Sequence, residues 1–175
     1  MVEDADAGST RRAVLCADRV APGRPSSDGA EILSDHCNTI RTSVADHAGL
    51  IAKLTKGHVL AVFGDAVAAV RCGLEIQHRL ELHNAALATE DRLFFRIGIG
   101  LGDVHDSAGR LLGDGVDVAT RIEPLADPGG ICVSGNAFDQ VEDELPVHFQ
   151  AIGLQAVKSL PNPVRVYRVA GAGSR

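Results

Sequence analysis

Within the stretch LLGDGVDVATRIEPLADPGGICVSG, residues 111 to 135, an aspartate and an arginine stand four residues apart, Asp117 and Arg121. Gly113-Asp114-Gly115 reads as a turn that starts a helix, with Asp114 placed as its N-cap. Val116, Ala119 and Ile122 follow at helical spacing, and Pro128-Gly129-Gly130 stops the element. Residues four apart share one side of a helix, so Asp117 and Arg121 face the same way. On spacing alone, the two read as a solvent-facing ion pair. Asp18 ends the apolar run Ala13-Val14-Leu15-Cys16-Ala17, where a carboxylate can face a cleft. Taken by itself it is an ordinary turn aspartate.

These residues need elements to hold them. The Ala13–Ala17 run reads as a central strand and Val20 to Asp28 as a Pro/Gly/Ser loop. Glu31 to His47 reads as a helix stopped by Gly49. Leu50–Thr55 and His58–Phe63 form a hairpin around Lys56-Gly57. Ala66, Ala69, Gly73, Ile76 and Leu80 mark a long helix. A strand over Leu93 to Val104 then carries Gly98, Gly100 and Gly102 and ends in a turn at Asp106–Gly109. After the short helix come a buried strand at Ile131, a helical piece over Phe138–Glu144, and strands near His148–Ile152 and Val164–Val169. The order β-α-β-β-α-β is the split βαβ arrangement of ferredoxin-like folds, an α+β class with helices packed on a mainly antiparallel sheet. Helices on one face leave the other available for a partner or ligand. Residues 1–10 read as a disordered tail, 11–170 as one domain and 171–175 as a second tail.

Bulk properties exclude several classes. The 175 residues are 45% hydrophobic, enough for one core, and carry a net charge of −6. No basic run exceeds Arg11-Arg12, and aromatics make up only 3%, so nucleic-acid backbone binding and base stacking are both disfavoured. No apolar run is long enough to enter a membrane as a spanning helix, and the acidic start MVEDADAGST is not a signal peptide. Cys16, Cys37, Cys72 and Cys132 show no C-x-x-C spacing and read as reduced core cysteines of a cytoplasmic protein, not as a zinc site. The seven histidines show no paired metal spacing.

The wording of the chain carries more than its periodicity. GDGVDVATRIEPLADPGGICVSG resembles the G-D-x-V-N-x-A-x-R segment of the class III nucleotide cyclases, the adenylyl and guanylyl cyclase catalytic domains, in their bacterial branch. From Arg12 to Val169 the pieces Leu15-Cys16-Ala17-Asp18, the hairpin, AVRCGLEIQHRL, FRIGIGLGDV and GLQAVKSLPNPVRVYRV follow in the family's order. The resemblance implies attack of a ribose 3′-hydroxyl on the α-phosphate of ATP or GTP. It also implies two Mg2+ or Mn2+ ions held by two aspartates, and a site shared between the subunits of a head-to-tail dimer.

Carried over residue by residue, Asp18 matches the first metal aspartate, Lys53 the purine-contacting lysine of adenylyl cyclases, Arg121 the arginine that stabilises the transition state, and Lys158 the lysine that reaches the triphosphate. Other positions depart. Counting back from Phe63, the second metal aspartate becomes Gly57, and a one-residue step along the strand is expected to turn His58 away. The second purine-selecting position is Arg110, a cation that cannot accept a hydrogen bond, and the ribose-orienting asparagine is Asp117. Arg19-Val20-Ala21-Pro22-Gly23 replaces the phosphate loop, with Pro22 lacking an N–H. The expectation is a pseudo-cyclase or very weak cyclase that forms a homodimer. Its alternatives are an active atypical adenylyl cyclase and one half of a heterodimer.

Overall fold

The computed structural model describes residues 8–20 and 28–170. Of the expected tail at 1–10, residues 1–7 lie outside the described residues, as do the loop residues Ala21, Pro22 and Gly23 and the tail at 171–175; Thr10 instead opens the first strand.

The chain runs through β1 (Thr10–Val20), α1 (Gly29–Asp46), β2 (Leu50–Thr55), β3 (His58–Phe63), α2 (Ala66–Ala85), β4 (Phe94–Ser107), β5 (Arg110–Leu112), α3 (Asp114–Ile122), β6 (Ile131–Ser134), α4 (Gly135–Val141), β7 (His148–Gln155) and β8 (Val164–Ala170). The sheet order is β2-β3-β1-β4-β6-β8-β7, with β5 paired to the end of β4. Its pairings are antiparallel except β4 with β6. The α+β ferredoxin-like expectation holds: β1-α1-β2-β3-α2-β4 is the split βαβ core, and β6 to β8 extend its sheet. The hairpin bounds match to the residue. β5, just past the expected turn at Asp106–Gly109, has no counterpart in the sequence reading, because three residues give no alternation to detect. The fourth helix begins three residues before the expected Phe138.

Alternation divides β1 between two faces. Ala13, Leu15 and Ala17 point into the main core with Phe63, Ile76, Phe95, Ile97 and Ile99, beneath α1 and α2. Val14 and Cys16 point to the other face, where they pack with Leu60, Val104 and Ala119. That second face was expected to lie open; α3 covers part of it. The reason lies in β4. A Cβ on Gly98 would fall 2.5 Å from the Ala119 carbonyl oxygen, and one on Gly100 2.9 Å from the Ala119 nitrogen. A Cβ on Gly102 would fall 2.8 Å from the Gly115 nitrogen. Three glycines on one face of the strand therefore let the α3 backbone lie directly on the sheet. Asp114 is not the N-cap: Gly113 takes that place at φ 126°, and no side chain caps the helix.

Candidate functional site

Asp18 sits near the end of β1, opposite His58 of β3 on one side and Arg96 of β4 on the other. Cross-strand partners share a face, so all three side chains project to the α3 side of the sheet. The expectation that His58 turns away is corrected here. Its facing follows from its pairing with Asp18 and not from its step past Gly57, which belongs to the turn. His58 Nδ1 lies 2.6 Å from Asp18 Oδ1, with the two side chains 28% and 40% exposed. Two residues back, Cys16 is fully buried on the same face. One ligand atom from each of Cys16, Asp18 and His58 lies within 4.8 Å of the others.

Two further groups close this cluster. Glu123, just past α3, is 5% exposed. Burial, then the charge of Asp18 and a hydrogen bond with it, together push its carboxyl up to about 7, and Arg96 opposes the rise. Burial likewise pushes the Cys16 thiol up to about 12, while a hydrogen bond with Thr120 works against it. Arg96 Nε is buried without a hydrogen-bond partner.

Gly57 shows why a second aspartate is missing here in space as well as in sequence. Its φ is +86°, and a Cβ would meet Arg19 Cδ at 2.6 Å. The Arg19 backbone N–H donates to the Gly57 carbonyl at 2.9 Å. The Arg19 side chain thus fills the volume where a Gly57 side chain would begin. A pair of hard ions needs several oxygen donors. This cluster offers one half-exposed carboxylate, a ring nitrogen, a thiol, and a buried second carboxyl tied to the first. It does not fit the two-ion carboxylate site that the resemblance implies.

The other expected site residues are placed differently. Lys53 pairs with Leu60, which pairs with Cys16, so it shares their face while remaining exposed on β2. Arg110 is exposed on β5, Asp117 and Arg121 are exposed on α3, and Lys158 is exposed in the turn after β7. Asp117 and Arg121 form no ion pair. Among the described residues, none of these five side chains has a hydrogen-bond or ion-pair partner. A cavity of about 340 Å³ lined by Arg11, Asp103, Asp114, Asn136 and Arg165 lies elsewhere and contains none of them.

Sequence reasoning missed Cys16, Glu123 and Arg96, and it misplaced His58. One signal was available for Glu123, an acidic residue two past Arg121 at the end of the docked helix. For Cys16 and Arg96 only the strand register reveals the neighbourhood.

No family model matches the chain. It is 33% identical over 160 residues to the Rhizobium meliloti (strain 1021) protein named "Putative adenylate cyclase 3", covering 89% of this chain and 27% of that one. "Adenylate cyclase 1" of the same organism is 29% identical over 171 residues, covering 87% of this chain and 25% of that protein. The chain therefore spans about a quarter of these relatives' length. Among solved structures, an adenylate/guanylate cyclase/hydrolase from Silicibacter pomeroyi superposes with a TM-score of 0.84 at 33% identity, covering 93% of this chain and 97% of that one.

Proposed function

The chain belongs to the class III nucleotide cyclases, and on that premise we propose that it is a dimeric, cytoplasmic cyclase-homology domain of cyclic-nucleotide signalling that turns nucleotide over very weakly or not at all. The observation that carries this reading is the filling of the second carboxylate position by Arg19 above Gly57. Two-ion chemistry requires a clamp on both the attacking and the leaving oxygen. Without its second carboxylate, a site of this kind should lose roughly a thousandfold in rate.

The residues on the exposed half keep a binding role in this reading. Lys53 contacts the purine and Arg110 lies at its second selecting position. Lys158 reaches the polyphosphate of ATP or GTP. Arg121 faces the reacting phosphate, and Asp117 occupies the ribose-orienting position. Their exposure and lack of partners among the described residues support a site completed by a second subunit, in a head-to-tail homodimer. The same observation favours the heterodimer, in which Arg121 and Lys158 serve a subunit that keeps both aspartates. The reading of an active adenylyl cyclase draws support from Glu123, which sets a second carboxyl against Asp18.

Cyclic AMP and cyclic GMP production from ATP and GTP with manganese tests these readings. The comparison needs wild type, Gly57→Asp, and Gly57→Asp with Arg19→Ala, because Arg19 must vacate the space. Wild type at background with a rise in the double variant fits the pseudo-cyclase. Wild-type activity well above background sinks it in favour of the active enzyme, and activity only on mixing with an intact cyclase subunit identifies the heterodimer.

A further inference from the structure

We propose that Cys16, Asp18 and His58 form a site for a single borderline-soft divalent ion, zinc above all, in place of the pair of hard ions that two carboxylates would take. Three observations carry it. The first is convergence: a thiol, a carboxylate and an imidazole present ligand atoms within 4.8 Å of one another. Among the described residues this is the one such group of three. The second is donor type. Sulfur and imidazole nitrogen favour zinc over magnesium, and three protein ligands plus one open position is a common zinc arrangement. The third is rigidity. Cys16 and Asp18 are two apart on a central strand and His58 is fixed opposite Asp18 by the β1–β3 ladder, so the backbone already holds all three on one face.

The 2.6 Å contact between His58 Nδ1 and Asp18 Oδ1 is a hydrogen bond. Two ligands on a tetrahedral zinc stand roughly 3.3 Å apart, given metal–ligand distances of about 2 Å. Side-chain rotation of the half-exposed pair supplies that difference without moving the strands. As the zinc–sulfur bond forms, the thiol proton leaves to solvent, so the charge balances as one thiolate and one carboxylate against the ion. Glu123, hydrogen-bonded to Asp18, then orients the ligating carboxylate from behind. Arg96, paired opposite Asp18 on β4, is a charge that opposes the ion.

The test needs neither nucleotide nor turnover, so it stands or falls apart from the cyclase reading. The purified chain is titrated with zinc against a colorimetric chelator, with excess magnesium present, and separately loaded with cobalt(II) for absorption spectroscopy. About one equivalent of zinc should bind, undisturbed by magnesium, and the cobalt form should show a sulfur-to-metal charge-transfer band. His58→Ala, at a half-exposed position, should weaken zinc by roughly a hundredfold while thermal unfolding shows the fold kept. Cys16→Ser should abolish the charge-transfer band. Absence of zinc binding overturns the proposal. So does a cobalt spectrum without the thiolate band, or equal zinc affinity in wild type and His58→Ala, which would place the ion on other surface groups.

Discussion

The two sides of the candidate site obey opposite rules. On the sheet side, Asp18, His58, Cys16, Glu123 and Arg96 are drawn together; Asp18 pairs with His58 and is coupled to Glu123, while Arg96 Nε stays without a partner. On the outward side, Lys53, Arg110, Asp117, Arg121 and Lys158 all stand exposed, without side-chain partners among the described residues. A group that has found partners within its own subunit must give one up to take a ligand; one that has not is still available. On the proposed reading, the difference marks where the chain departs from its family. The inward half centres on a histidine and a filled glycine turn, and the outward half is a set of exposed cations plus one aspartate.

Helix α3 joins the two halves, and breaking its seat should have the largest effect. Its inner side carries Ala119, Thr120 and Glu123, and its outer side Asp117 and Arg121. Gly98→Ala places a Cβ 2.5 Å from a backbone oxygen that no rotamer change can move. The expected loss is about 3 kcal/mol or more in stability by chemical denaturation. Both halves should fail together: nucleotide binding should fall along with the ordering around Asp18. If Gly98→Ala unfolds within about 0.5 kcal/mol of wild type, α3 is not seated on bare backbone.

The inward half carries its own pH signature. Glu123 has a folded pKa raised to about 7 from 4.5. Between those values the native state holds a proton that the unfolded chain has released, so stability falls as pH rises through this window. The group's favourable contribution is full below the unfolded value and is lost by about pH 7. The change is on the order of 2 kcal/mol, because one proton is shared between Glu123 and Asp18. Glu123→Gln should flatten the slope, giving a variant of nearly constant stability across pH 5–7.5 by urea titration. A slope unchanged by the substitution would assign the titration to another group.

The two halves also differed in how legible they were. The fold was readable because its strands alternate, its helices repeat at three and four, and the Lys56-Gly57 turn fixes the hairpin register. The outward cations were readable because each falls at a fixed offset within a local motif; the family wording named Arg121 and Lys158 before any contact was known. The inward cluster was not readable, because it is assembled by pairing of strands 40 residues apart. Cys16 had no C-x-x-C spacing and so was assigned to the core. That was correct as to burial and silent as to its neighbours. His58 was assigned to the wrong face because its orientation was counted along the chain from Gly57, a turn residue at φ +86° that breaks the alternation. Long-range register, and the side chain that fills a vacated space, have no local sequence signal.

On the outward half, Arg121→Ala and Lys158→Ala should each weaken binding of a fluorescent ATP analogue by about tenfold, near 1.4 kcal/mol. Neither should move stability by more than about 0.5 kcal/mol, because neither side chain has a partner to lose. A large stability loss in either variant would show the residue to be structural and would erase the contrast between the halves.

The smallest expected effect tests the one residue that does not fit the outward pattern. Asp117 is an anion among cations, exposed in the first turn of α3. Two influences act on it. Close to a polyphosphate it repels, and removing its charge should tighten nucleotide binding by about twofold to threefold at low salt, less as salt screens the interaction. At a helix N-terminus a carboxylate is favourable, so the same change should lower stability by about 0.3–0.5 kcal/mol. Asp117→Asn keeps the shape and separates these two effects, with affinity rising while thermal stability falls slightly. If affinity instead drops, the Asp117 carboxylate is making a direct contact with ribose or with an ion, and the outward half holds a working ligand that the Asp18 side has lost.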